Sequence, residues 1–94
     1  MKKYKMLPVL VEAMQWFGAI EDVESLWNWM ALSGSQNRLI AHDGRYYIIV
    51  DTKEIEIEPN DYIIKGKNGK FYSCKPHIFW KTYEEIKDDN YHEI

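Results

Sequence analysis

The strongest constraint on the fold is a series of short apolar segments between residues 38 and 74, separated by turn signals. RLIA, RYYIIV, KEIEIE, YIIK and KFYSC are each four to six residues long. Asp43-Gly44 and Asn68-Gly69 favour the positive-φ turns of β-hairpins. Asp51-Thr52 and Pro59-Asn60-Asp61 mark the two remaining turns. The series predicts a meander of about five short antiparallel strands.

Within this series, KEIEIE alternates strictly between apolar and acidic residues. Successive side chains of a strand point to opposite faces, so Ile55 and Ile57 share one face, and Glu54, Glu56 and Glu58 share the other. We expect one face of this strand to be exposed to water.

A strand and a helix are predicted before the meander. Pro8 opens the nearly continuous apolar run VLVEAMQWF, which is typical of a strand covered on much of both faces. The segment AIEDVESLWNWMAL then has the spacing of an amphipathic helix, which Ser33-Gly34-Ser35 ends. Its apolar residues recur every three or four positions: Ile20, Val23, Leu26, Trp27 and Met30.

Two tryptophans of this helix allow two interpretations. Trp27 belongs to the apolar stripe, so we expect it to lie in the core, with Trp29 on the flank. The alternative is that the two side chains form an aromatic stacking platform.

The C-terminal part completes an α+β domain. Lys75-Pro76 breaks the last strand of the meander, PHIFW predicts one helical turn, and KTYEEI predicts a last short strand. Residues 87–94 are expected to be a frayed tail. We predict one domain over residues 1–94, in which the amphipathic helix packs on one face of the sheet.

Composition limits the class of protein. Aromatic residues make up 15% of the 94 residues, which suits a compact core. The formal net charge of −3 gives no general attraction to nucleic acid or acidic membranes. A single cysteine cannot form an internal disulfide, and no apolar run has the length of a signal peptide or a membrane span. We expect a soluble, cytoplasmic protein without a membrane partner.

Cys74 and His77 lie three positions apart, which raises the question of a nucleophile and its base. Such a dyad needs an orienting third group and an oxyanion hole, and the sequence indicates neither. A zinc site needs about four suitable ligands. We therefore interpret Cys74 as a packing residue and expect neither a metal nor a cofactor.

Other titratable residues carry weaker hypotheses. His42 is expected on a hairpin tip and His92 in the tail, both exposed to solvent. Glu12 lies in an apolar strand, where it points outward, meets a Lys or Arg, or serves acid-base chemistry. We favour an outward or paired Glu12.

The segment IIKGKNGKF combines glycines and lysines but lacks the pattern of a phosphate-binding loop. One interpretation is a hairpin with solvated lysines. The other is a basic and aromatic surface of the kind that holds nucleotides, single strands or acidic protein faces. This candidate binding surface comprises Tyr62, Lys65, Lys67, Lys70, Phe71, Tyr72, Lys75, His77 and Trp80.

Two stretches resemble a known family. PVLVEAMQW near the start and NDYIIKGKNGKFYSCKPHIFWKTYE near the end are similar to motifs of a widespread family of small proteins encoded by tailed bacteriophages and prophages. That family carries Asp at the position of His77 and Glu at that of Trp80, so the resemblance argues against a dyad of Cys74 and His77. Asn60 replaces a Gly, and Asn tolerates the positive φ that this turn needs.

The resemblance implies a viral origin and the bacterial cytoplasm, but it implies no reaction. We therefore expect a non-catalytic accessory protein that binds a host or phage macromolecule, with counter-defence as one role. The alternative is a module that binds or sequesters a nucleotide, an oligonucleotide or a single strand. A small enzyme centred on Cys74 or Glu12 is the third hypothesis. A homodimer would bury further apolar surface.

Overall fold

The computed structural model describes residues 2–6, 9–34 and 37–85. The elements in chain order are β1 (Lys2–Met6), β2 (Val9–Gln15), α1 (Ile20–Leu32), β3 (Arg38–His42), β4 (Arg45–Val50), β5 (Lys53–Ile57), β6 (Tyr62–Lys65), β7 (Phe71–Cys74), α2 (Pro76–Thr82) and β8 (Glu84–Glu85). The predicted α+β class is confirmed, and the helix and the strands of the meander follow the predicted order. No helix of the described part is long and apolar enough to cross a membrane.

The strands form two antiparallel sheets. The central sheet has the order β7-β6-β2-β1-β8, and the second sheet has the order β3-β4-β5. A further strand, β1, precedes the predicted one and pairs with β2 from Lys2 opposite Ala13 to Met6 opposite Val9. The three lysines of its sequence KKYKM concealed it, because lysine is depleted in strands. Pro8, the predicted start of the first strand, lies outside the described residues.

Both faces of the central sheet are covered. On one face, termed the α1 side, Ile63 and Phe71 pack with Trp29 of α1 and with the inward residues of the second sheet. On the other face, termed the α2 side, Tyr62 packs with Phe79 of α2. Alternation along β6 explains the division, because neighbouring residues of a strand point to opposite faces.

The positions of the two tryptophans of α1 are the reverse of the prediction. Trp29 is 8% exposed and meets the ring of Phe71 edge to face at 4.8 Å, whereas Trp27 is 59% exposed. The buried residues of α1 are Leu26, Trp29 and Met30. The helix therefore packs through the row that contains position 29, and Trp27 lies at the margin of that row.

The predicted turns have the expected conformations. Asp43 and Gly44 have φ values of 52° and 73°, as a type I′ hairpin turn requires. Asn60 has a φ of 79°, which agrees with the expectation that Asn keeps this turn. These residues hold the short strands in register without help from a long loop.

The remaining elements also follow the sequence pattern. In β5, Ile57 is buried while Glu54 and Glu56 are exposed, so this strand has one face in water. The predicted helical turn is the seven-residue helix α2, which begins at Pro76. The last short strand, β8, pairs with β1 at the edge of the central sheet. The predicted tail, including His92, lies outside the described residues.

Candidate functional site

The structure divides the predicted basic and aromatic surface. The prediction is wrong for two members of this surface, because Tyr62 is 5% exposed and Phe71 is 0% exposed. Tyr62 belongs to the core of the α2 side, and Phe71 belongs to the core of the α1 side. Neither ring therefore forms the exposed stacking face that the prediction required.

Two of the predicted lysines are held by carboxylates. Lys70 Nζ lies 3.4 Å from both carboxylate oxygens of Asp51. Lys75 Nζ donates to Asp61 Oδ1 at 3.0 Å and pairs with Glu58 at 3.4 Å. The hydrogen bond to the buried Asp61 raises the pKa of Lys75. Because these charges are compensated within the chain, they offer less attraction to an anionic ligand.

The other members of the predicted surface do not form one patch. Lys65 is half-buried on β6, and Lys67 is exposed in the hairpin. The hydroxyl of Tyr72 shares a hydrogen bond with the hydroxyl of Tyr83 at 3.0 Å, on the α2 side. Two exposed residues of α2 complete the set: His77 and Trp80.

Cys74 has the surroundings of a packing residue. It is half-buried against the core of the α2 side, and its thiol lies 3.5 Å from the carbonyl oxygen of Lys75. Burial, followed by the charge of Asp61, raises the pKa of the thiol and so disfavours the nucleophilic thiolate. Among the described residues no hydrogen bond joins Cys74 to His77. The same part of the chain contains no group of three His, Cys, Asp or Glu side chains that could hold a metal ion.

Glu12 lies between lysines of the two neighbouring strands. Its register partner in β1 is Lys3, and its register partner in β6 is Lys65. Directly opposite residues of an antiparallel sheet share a face, so the half-buried carboxylate is flanked by two cationic side chains. Glu12 takes part in none of the ion pairs of the described residues, so its pairing stays a prediction.

A cleft of about 370 Å³ opens on the α2 side, between the central sheet and α2. Phe17 and Trp80 are its accessible walls, since they are 55% and 51% exposed. The rings of Tyr4 and Tyr62 also line it and lie 5.9 and 5.6 Å from the ring of Trp80, at interplanar angles of 69° and 84°. Four aromatic side chains therefore surround this opening, which we term the aromatic cleft.

The polar groups of the aromatic cleft are few and partly paired. The hydroxyl of Tyr62 donates to Gln15 Oε1 at 3.3 Å, and Lys2 Nζ pairs with Glu85 at 3.6 Å. Burial is the largest cause that raises the pKa of Tyr4, and the charge of Glu85 is the next. Burial also raises the pKa of Tyr62, with a further contribution from Glu85. The negative potential of this carboxylate therefore reaches both tyrosine hydroxyls.

A second opening, of about 270 Å³, lies between α1 and β3, which is an edge strand of the second sheet. We term it the edge groove. It is lined from the helix by Trp27, Met30 and Ala31 and from the strand by Leu39 and Ile40. Trp27, which was predicted to lie in the core, is thus the main exposed apolar surface of this groove.

Arg38 is the charged residue among those that line the edge groove. Its side chain is exposed at the start of β3, and no carboxylate of the described residues pairs with its guanidinium group. A guanidinium group binds a carboxylate through two parallel hydrogen bonds. The groove therefore combines an apolar wall with one cation that is available to a partner.

A third cavity, of about 390 Å³, lies beside the hairpin at Asn68-Gly69. Asn37 lines this cavity. Its side-chain amide donates to the carbonyl oxygen of Ile49 at 2.9 Å and accepts from the backbone N–H of Phe71 at 2.9 Å. These bonds join the central sheet to the second sheet. We therefore assign this cavity to the support of the fold.

Comparisons with family models, curated proteins and solved structures found no match for this sequence. The resemblance to small phage proteins therefore rests on the two sequence motifs, and the viral origin stays a prediction. The aromatic cleft and the edge groove are the features of the molecule from which a function can be inferred.

The sequence indicated only part of these two openings. Trp80 and Tyr62 belong to the predicted surface and line the aromatic cleft, but Phe17 and Glu85 come from distant parts of the chain. One signal for the edge groove was present. Two tryptophans two positions apart point to nearly opposite sides of a helix, so one of them had to leave the core.

Proposed function

We propose that the chain is a non-catalytic accessory domain that binds an extended segment of a partner protein in the edge groove. The observation that carries this proposal is the exposure of Trp27, 59%, beside the open edge of β3. An exposed tryptophan in an apolar groove is costly in water and is typical of the centre of a protein interface. Phage origin and action in the bacterial cytoplasm, which the resemblance implies, belong to the same proposal.

The backbone of β3 supplies directional contacts for such a segment. His42 and Arg45 flank the two-residue turn, so they form a hydrogen-bonded pair, and such pairs alternate along the ladder. Leu39 and Ala41 therefore direct their N–H and C=O groups away from β4. A partner strand can pair with these groups, as in the addition of a strand to an exposed sheet edge.

The side chains around the groove define the chemistry of the partner. Trp27 and the exposed Ala31 offer an apolar wall that suits one large aliphatic or aromatic side chain. Arg38 offers a cation next to that wall, and it suits an Asp or Glu in the same segment. We therefore expect an extended partner segment with a large apolar residue close to a carboxylate.

The structure offers less support to the alternative of nucleotide or single-strand capture. Lys70 and Lys75 are paired with carboxylates, and the ring of Phe71 is buried. Stacking on exposed rings and free positive charge are the two interactions that hold single strands. Pairing of β3 with a second copy suits the groove less well, because antiparallel pairing centred on Ile40 would place Arg38 opposite His42 and so give its guanidinium group no carboxylate.

The proposal is tested by quantitative capture from bacterial lysate with matched variants. Trp27→Ala removes the apolar wall, and Leu32→Ala is the control because Leu32 is exposed on the same helix without lining the groove. We expect a partner recovered by the wild type to be lost with Trp27→Ala and retained with Leu32→Ala. A partner that both variants retain equally would refute the groove as its binding site.

A second variant tests the backbone contribution. Ala41→Pro removes an N–H that points away from β4, so it leaves the ladder between β3 and β4 intact. We expect it to keep the fold, checked by thermal unfolding, and to weaken partner binding. Unchanged binding in a folded Ala41→Pro variant would exclude strand addition at β3.

A further inference from the structure

The aromatic cleft is separate from the edge groove, and its lining has a chemistry of its own. Its walls are the rings of Tyr4, Phe17, Tyr62 and Trp80, which come from β1, the segment after β2, β6 and α2. The rings of Tyr4 and Tyr62 are themselves 6.4 Å apart at an interplanar angle of 77°. Phe17 and Trp80 are the rings that an occupant can reach over most of their surface, whereas Tyr4 and Tyr62, at 4% and 5% exposure, offer only a small part of theirs.

The base of the aromatic cleft leaves room for an occupant. Ala13 lies there, at 1% exposure, and stands opposite Lys2 in β1 and Ile64 in β6. Its methyl group packs in the core of the α2 side, so it closes the base of the cleft, and the room for an occupant lies towards the exposed rings of Phe17 and Trp80. The cleft volume of about 370 Å³ exceeds what a single water-sized site needs.

Glu85 places a negative charge at the same opening. Its carboxylate pairs with Lys2 at 3.6 Å, and the side chain of Lys2 is 71% exposed, so the ammonium group extends into solvent. An exposed pair of this kind contributes little and can be exchanged for another cation. The carboxylate, whose side chain is only 21% exposed, remains at the cleft when the lysine leaves.

We propose that the aromatic cleft binds a weakly hydrated organic cation, namely a guanidinium or a methylated ammonium group. The quadrupole of each aromatic ring attracts a cation over its face, and a carboxylate beside the rings adds a direct charge interaction. A weakly hydrated cation loses little when it leaves water, so it gains more from these walls than a compact ammonium group does. Lys2 is the competitor that the chain itself supplies.

This proposal makes opposite predictions for the two partners of the ion pair. Lys2→Ala removes the competitor, so it should tighten cation binding about threefold. Glu85→Gln removes the counter-charge while keeping the shape of the side chain, so it should weaken binding by about tenfold. A site for an anion such as a nucleotide would show the reverse pattern, and that pattern would overturn the proposal.

The first experiment is a titration of the wild-type protein with choline, followed by NMR chemical shifts. The control ligand is 3,3-dimethylbutan-1-ol, which has the same shape without the charge. We expect choline to shift resonances of Ala13 and of the Trp80 indole, and the neutral control to bind about tenfold more weakly. Equal binding of both ligands, or binding of neither choline nor an arginine derivative, would refute a cation site.

Phe17 and Trp80 are exposed, so their variants should fold and report on binding alone. Trp80→Ala and Phe17→Ala should each weaken choline binding, and Ile78→Ala is the control because Ile78 is exposed on the same helix as Trp80 without lining the cleft. Trp27→Ala should leave choline binding unchanged, so loss of the edge groove and loss of the cleft are distinguished. A folded Phe17→Ala variant with wild-type affinity would contradict the proposed wall.

A comparison of ligands identifies the source of the cation. Short peptides that contain arginine or trimethyl-lysine present the group as part of a partner protein, whereas choline and agmatine present it as a free small molecule. Tighter binding of a peptide than of the free cation would assign the cleft to a partner side chain. Equal affinity would assign it to a small molecule, and both results support the site.

Discussion

The two sides of the central sheet are closed by covers of very different size. The α1 side is covered by a 13-residue helix and by the whole second sheet. The α2 side is covered by a seven-residue helix, and four aromatic rings do most of its packing: Tyr4, Tyr62, Phe79 and Tyr83. The α1 side has the edge groove at the outer margin of its cover and a cavity beside the hairpin at Asn68-Gly69, which the amide of Asn37 links to both sheets. The α2 side has the aromatic cleft beside its short helix.

This difference also separates the kinds of contact that each opening offers. The edge groove combines a helix face with an open strand, so it suits a chain segment that can form backbone hydrogen bonds. The aromatic cleft has ring walls and a single carboxylate, so it suits a compact group. If matched changes on the two sides of the central sheet had equal effects, the two covers would not differ in this way.

The largest expected effects come from matched truncations in the two cores. Phe71 and Phe79 are both fully buried, and Phe79 stacks on Tyr62 at 3.9 Å. Each change to Ala should lower the free energy of unfolding by about 3–5 kcal/mol. We expect Phe79→Ala at the lower end, because the short α2 can shift to fill the space. Urea unfolding measures both, and a greater loss for Phe79→Ala would contradict the comparison.

The next largest difference in stability is expected between loss of a buried carboxylate and loss of an exposed one. Asp61 is buried and accepts hydrogen bonds from Lys75 Nζ at 3.0 Å and from the backbone N–H of Glu58 at 2.9 Å. Asp61→Ala removes both hydrogen bonds of a buried carboxylate, while Lys75 keeps its pair with Glu58, so the change should cost about 1–3 kcal/mol. Asp51→Ala, at the exposed pair with Lys70, should cost no more than about 1 kcal/mol. Equal losses in thermal unfolding would show that the burial of Asp61 does not strengthen its hydrogen bonds.

Alkaline pH should weaken the α2 side. Burial, and then the hydrogen bond with Tyr72, raises the pKa of Tyr83 above its ordinary value of 10.0. The unfolded state therefore loses this proton at a lower pH than the folded state does. Stability is unaffected below about pH 9 and falls as the pH rises above about 10.

Tyr83→Phe tests this dependence because it removes the ionisable hydroxyl and keeps the ring. We expect the free energy of unfolding of the variant to fall less steeply above about pH 10 than that of the wild type. The two proteins are compared by urea unfolding at several pH values. Parallel slopes would mean that ionisation of Tyr83 does not limit alkaline stability.

The smallest effect is expected for Trp27, the residue on which the proposed binding depends most. Trp27→Ala should change the free energy of unfolding by no more than about 0.5 kcal/mol, because the side chain is 59% exposed. Trp29→Ala should cost about 3–5 kcal/mol, because that ring packs on Phe71. A large loss for Trp27→Ala would mean that its ring belongs to the core after all.

The sequence predicted the local features of the fold well because each depends on neighbouring residues. The helix at residues 20–32, the turns at Asp43-Gly44 and Asn60, and the exposed face of β5 all follow from spacing and turn chemistry. Strand β1 was missed, because its lysines conceal a strand that is stabilised by pairing with β2 and β8.

The candidate sites were harder to predict because they are made of distant residues. No spacing within the chain indicates which residues line the aromatic cleft. They include Tyr4, Phe17, Trp80 and Glu85. The error at Trp27 has a different cause. Its position fits a helical stripe as well as that of Trp29, and the choice depends on where Phe71 lies in the folded chain.

The most direct test of the proposed function is amide hydrogen exchange of the wild-type protein with and without its captured partner. The amides of Leu39 and Ala41 point to the open edge of β3, so they should exchange much more slowly in the complex. Amides of β5, the opposite edge of the second sheet, should be unchanged. Protection at β5 or α2 with none at Leu39 and Ala41 would contradict binding in the edge groove.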